Sequence, residues 1–101
     1  MDRFVLVARL KPDGRQRAEE LLAEHSALGG AQLEAAFDRH AIFLSETEVV
    51  FLFEGESPHE SVRALFNDPV QSTLIGHWLP LFDGPLHQAS QAYFWERQAA
   101  V

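Results

Sequence analysis

The chain has 101 residues, with 15 acidic and 8 basic side chains, a formal net charge of −7 and no cysteine. Such a length makes one domain, 1–101, and 47% hydrophobic with 23% charged residues is a globular balance rather than a disordered one. Nucleic acid is not an expected partner, since no Lys/Arg cluster offsets the acidic excess. No apolar run approaches the ~18–20 residues of a membrane span. Without cysteine there is no disulfide, thiol nucleophile or thiolate metal site. The start, MDRFVLVARLK, lacks the pattern of a signal peptide, so a cytoplasmic location is expected.

Phe4 to Leu10 reads as a strand, ended by the turn residues Lys11-Pro12-Asp13-Gly14. A helix is predicted from Arg15 to His25. Its apolar stripe is Ala18, Leu21, Leu22 and His25, and its wet face is Glu19, Glu20 and Glu24. Ala27-Leu28-Gly29-Gly30 should stop it, and 32–37 reads as a loop with a short helical turn. Strands at Asp38–Leu44 and Glu48–Glu54 are joined closely enough to be an antiparallel hairpin. Ser57-Pro58-His59-Glu60 predicts a capping box at a helix start, with Val62, Leu65 and Phe66 on the buried side. Asn67-Asp68-Pro69 restarts the helix with Asp68 as cap, and Val70, Leu74, Trp78 and Leu79 are expected on one inward face. Leu86 to Trp95 is read as the last strand.

The order is βαββαβ with a broken second helix, which predicts an α+β, ferredoxin-like sandwich. Its four-stranded antiparallel sheet would have the first and third strands central and helices on one face. Phe4, Leu6, Ala8 and Leu10 point to one face of the first strand, and Val5, Val7 and Arg9 to the other. In the third strand Val49, Phe51 and Phe53 oppose Val50, Leu52 and Glu54. Both faces are apolar, and one chain covers only one of them. The expectation is therefore a homodimer packed sheet against sheet, burying on the order of 1,200–2,000 Å².

FVLVARLKPDG entering a helix, a hairpin ending in FEGES and NDPVQSTLIGHW in the last helix together resemble the dimeric α+β barrel superfamily over nearly the whole chain. That superfamily includes antibiotic-biosynthesis-type and haem-degrading monooxygenases and small polyketide cyclases. The resemblance implies a small or aromatic ligand held between sheet and helices. His77 falls where such monooxygenases often carry a helix histidine and where haem-degrading members place the iron ligand. Those haem-degrading members have an asparagine where Ala8 stands and a tryptophan in the stretch Glu54–Ser57, so no cofactor is expected.

Three residues are candidates for catalysis. His77 and His40 could act as acid or base, and Arg39 could hold an oxyanion through its planar fork. Arg39 and His40 are adjacent on a strand, so only one of them looks toward the helices; an edge arginine paired with a neighbouring glutamate is the plainer reading of Arg39. Arg9, near a strand end, suits an interface salt bridge, while His59 and His87 begin a helix and a strand. Trp78, His25, Tyr93 and Phe51 are candidates for lining a ligand pocket, packing being the alternative for each. No histidine pair has metal-binding spacing, so no metal site is expected. Two functions stay open. One is a small enzyme, like a cofactor-independent monooxygenase or a cyclase, acting on a small hydrophobic or aromatic molecule. The other is a non-catalytic dimer that binds a small molecule or a protein. A haem binder using His77 is a third.

Overall fold

The computed structural model describes residues 2–28 and 35–98, with the side chains of 25–28 left aside. Elements follow in the order β1 (Asp2–Arg9), α1 (Gly14–Leu28), β2 (Arg39–Leu44), β3 (Glu48–Gly55), α2 (Pro58–Asn67), α3 (Pro69–Gly76), a 3₁₀ turn (Leu79–Leu81) and β4 (His87–Ala89). The sheet has the order β2-β3-β1-β4 with every neighbour antiparallel. This is the α+β ferredoxin-like sandwich expected from the element order, with β1 and β3 at its centre.

Alternation along β1 decides what the helices cover. Phe4, Leu6 and Ala8 are buried beneath them, whereas Val5 and Val7 are half-exposed on the other side. Register carries that division across the sheet, because Val5 pairs with Leu52 and Val7 with Val50, and these in turn stand opposite Ala41 and Phe43 of β2. The second face is thus apolar at its centre and bare in the single chain.

Two buried clusters form the helix side. Ala8, Leu10, Ala18, Leu21, Val49, Trp78, Leu81 and Phe82 make one; Phe4, Leu6, Phe37, Phe53 and Val62 make the other. Phe51 and Leu86 pack against both. On the wet side of α1, Arg15 pairs with Glu19 and Arg17 with Glu20 and Glu24. Exposed pairs of this kind add little to stability.

Several local expectations are corrected. α1 runs three residues beyond the predicted end at His25 and ends at Leu28, within the predicted stop Ala27-Leu28-Gly29-Gly30. Half of 32–37 lies outside the described residues, and of the other half 35–36 are helical. Ser57 makes no side-chain cap bond, so the capping box is not formed. Asp68 does cap α3: its carboxylate accepts from the backbone N–H of Val70 and of Gln71, both at 3.0 Å. The two positions therefore predict different costs. Asp68→Ala is expected to lose about 1 kcal/mol, and Ser57→Ala less than about 0.5 kcal/mol, measured as shifts in urea midpoint.

α3 is also rotated from the predicted face. Val70 and Leu79 are exposed, and the inward side is Gln71, Ile75 and Trp78, spaced i, i+4, i+7. Phe66 of α2 is 39% exposed rather than buried, at the edge of the helix side. The last strand is three residues long, not ten. It starts after a turn in which Gly84 takes φ +116°, a conformation open to glycine and costly for other residues. Beyond Ala89 the chain continues as an irregular, exposed arm.

Candidate functional site

Where the two buried clusters fail to merge, an apolar cleft of about 70 Å³ remains between the sheet and the helices. Its floor is Leu6 of β1, Ile42 of β2 and Phe51 and Phe53 of β3; Val62 and Leu65 of α2 and Ile75 of α3 form its roof. Trp78 closes one end, with its indole edge-on to Phe51 at 5.3 Å between ring centroids. The polar side chains in this lining are His40 and Gln71, besides the indole N–H of Trp78.

His40 reaches the cleft because β2 alternates. It stands opposite Phe53 in register, on the helix-covered side, and its ring stacks on Phe53 at 4.5 Å and 22°. Its Nδ1 lies 2.9 Å from the carbonyl oxygen of Leu52. A carbonyl only accepts, so Nδ1 carries the proton. In the neutral ring Nε2 is then the basic nitrogen. Backbone geometry has in effect chosen the tautomer.

The other sequence-derived candidates do not join His40. Arg39 points to the bare face, opposite Glu54. Glu54 itself is buried and has Arg3 at 3.8 Å. His77 follows the last turn of α3 with an exposed side chain outside the cleft lining. Trp78 and Phe51 do line the cleft. Tyr93 does not: it projects from the arm beyond β4, where the expected long strand is absent. The side chain of His25 lies outside the described residues. Gln71 was not singled out from the sequence. The available signal was its spacing of seven before Trp78, which places the two on one helical stripe.

A second, wider groove of about 530 Å³ opens at the end of the sheet, with Asp2, Glu56 and Glu60 along it beside Arg3 and His59. His59 is exposed and its ring lies 5.1 Å from that of Phe4. The groove is shallow and open to water, and nothing in it encloses a ligand. Among the described residues no group of three or more His, Asp or Glu side chains is placed to hold a metal ion, and no helix is long and apolar enough to cross a membrane.

No known protein family and no curated protein matches the chain by sequence. Solved structures do match its fold. A protein of unknown function from Nitrosomonas europaea is similar at TM-score 0.58 with 14% identity, covering 96% of this chain and 94% of that one. The Rv0793 protein from Mycobacterium tuberculosis is similar at TM-score 0.54 with 15% identity, over 96% of this chain and all of the other (100%). A candidate antibiotic biosynthesis monooxygenase from Chloroflexus aurantiacus is similar at TM-score 0.51 with 13% identity, over 94% and 98% of the two chains. At such identities the shared property is the ferredoxin-like fold, and chemistry must be argued from the site.

Proposed function

We propose that the protein is a homodimer in which each chain binds a small, flat, hydrophobic molecule in the helix-side cleft, and that His40 deprotonates this molecule. The observation that carries the reading is a single oriented imidazole in a mostly apolar lining, its proton held at Nδ1 by the Leu52 carbonyl. A phenol or enol lying on Phe51 and Phe53 would give its proton to Nε2. The resulting anion is the starting point both for direct reaction with dioxygen and for ring closure, so a cofactor-independent monooxygenase and a cyclase are the enzyme classes of choice. The fold shared with a candidate monooxygenase is consistent with the first.

At about 70 Å³ the cleft is smaller than the ~150 Å³ apolar cavity that holds a benzene ring. Binding must part its walls. The roof suits this, being two short helices meeting at Asp68 rather than one long rod. Native mass spectrometry of protein purified from cells is expected to show a bound organic mass released on denaturation. A chain with no bound mass, and no thermal shift with a panel of phenols, would refute the reading.

The placement of Arg39 and His77 away from His40 favours one alternative, a non-catalytic carrier that binds the same kind of molecule. Recovery of the ligand unchanged after aerobic incubation with the purified protein would select it.

The dimer is supported by the charge of the bare face. In a chain of net charge −7, this face presents Arg3, Arg9 and Arg39 against Glu48 and Glu54. Two copies meeting there avoid the repulsion they would meet elsewhere, and a two-fold axis lets the same apolar patch cover itself. Val50→Asp is expected to give a folded monomer of 11.4 kDa in sedimentation, with the wild-type sedimenting as a dimer at micromolar concentration. A monomeric wild-type would remove the dimer from the proposal.

A further inference from the structure

The helix-side cleft is not closed all round. An open groove of about 240 Å³ runs between α2 and β1, and Leu6, Val62, Phe66 and Leu86 line both the groove and the cleft. These apolar side chains are what separates the two spaces. Phe66 is 39% exposed, and an exposed side chain changes rotamer readily. A ring bound in the cleft therefore has a direction in which to extend without displacing the buried clusters.

The groove has two kinds of wall along α2. Val62 and Phe66 are apolar, whereas His59, Arg63 and Asn67, spaced i, i+4, i+8, form a rail of hydrogen-bond donors. No carboxylate lines it among the described residues. Glu60, three residues before Arg63, lines the other groove, at the end of the sheet. α1 behaves differently, since Arg17 pairs with Glu20 across the same separation of three. The guanidinium of Arg63 has no ion-pair or hydrogen-bond partner among the described residues. In a chain of net charge −7, an unpaired fork of donors beside an apolar wall is a local attraction for an anion.

We infer that the molecule bound at His40 carries a carboxylate on an apolar tail, and that Arg63, flanked by His59 and Asn67, selects it. The proposed contact of His40 with an acidic hydroxyl is the premise, and the groove adds what lies at the other end of the molecule. Sheet geometry sets the length. His40 stands on β2 and the groove begins at β1, two strands away in the order β2-β3-β1-β4. Strands lie ~4.8 Å apart, so hydroxyl and carboxylate are separated by roughly 10 Å or more. A carboxylate suits the site better than a phosphate monoester. Its two oxygens match the fork of Arg63, and an acidic chain repels the second negative charge of a phosphate. The same route eases the fit of the ring, because walls that part at Phe66 open into space already present.

The probes are ω-(4-hydroxyphenyl)alkanoates from the acetate to the hexanoate, each beside its methyl ester. Calorimetric titration of the full chain is expected to show acid and ester alike for the acetate, which is too short to reach both groups. For the longer members the acid should bind about tenfold more tightly than the ester. In Arg63→Gln that preference should vanish, the acids falling to the affinity of the esters. Arg63→Lys should restore part of it, since lysine keeps the charge and loses the fork. Arg63 is exposed, so neither change disturbs the core. Added salt should also shrink the wild-type preference. Equal binding of acid and ester at every length would overturn the role of Arg63 while leaving the phenol site at His40 standing, as would a preference that survives Arg63→Gln. A wild-type that binds none of these phenols would remove both.

Discussion

Trp78→Ala is expected to lower the free energy of unfolding by about 3–5 kcal/mol. Trp78 is 3% exposed, belongs to the cluster beneath α1 and meets Phe51 edge-on, and Phe51 in turn packs against both clusters. Removing the indole deletes the largest side chain of that cluster and leaves a hole continuous with the cleft. The helices above it are two short pieces, and partial collapse of α3 would moderate the loss without abolishing it. Urea unfolding at fixed protein concentration measures the effect, provided the slope is unchanged. A loss below about 1 kcal/mol would mean that the side chain is not the keystone its burial implies.

His40→Phe is expected to fold and to lose the chemistry. Phenylalanine keeps the stack on Phe53, while the Leu52 carbonyl loses the Nδ1 donor at a cost of about 1 kcal/mol. If His40 is the base, turnover of a substrate identified from the bound mass should fall by about 10²–10⁴. Binding offers a second readout. Wild-type protein should prefer a phenol to its methyl ether by about tenfold, and the variant should not distinguish them. Nitrogen NMR of the imidazole should show the proton on Nδ1 in the neutral ring. Equal preference in wild-type and variant, with the proton on Nε2, would remove His40 from the role.

Much of the architecture was legible from local pattern. Alternation along Phe4–Leu10 and Glu48–Glu54 identifies the two central strands and their apolar sets, since side chains on a strand alternate whatever surrounds it. The Asn67-Asp68-Pro69 break was equally plain, because a carboxylate before a proline suits the first turn of a helix. Ser57 shows the limit of such reasoning. The same kind of cap signal was present, but the backbone at φ −138°, ψ 65° carries no cap bond from its hydroxyl.

The candidate site was legible only in halves. Arg39 and His40 had to lie on opposite faces, yet alternation alone does not say which face the helices cover. That choice is made by the register of β2 on β3, which sets His40 beside Phe53 and Arg39 beside Glu54. The inward face of α3 is turned by one residue from the stripe its sequence predicts. Val70 and Gln71 compete for the inward position, and packing of Ile75 and Trp78 against the sheet settles it for the polar one.

By itself, the sequence determined a small, acidic, cysteine-free α+β domain, the order of its elements, and a sheet whose central strands are apolar on both sides. These follow from periodicity and composition, which act over a few residues. Tertiary structure alone decided that β4 ends at Ala89 and frees an aromatic arm, that His77 faces water, and that the imidazole of His40 enters the cleft with its tautomer chosen by Leu52. Each depends on contacts between residues far apart in the chain. Such contacts leave no local pattern to read.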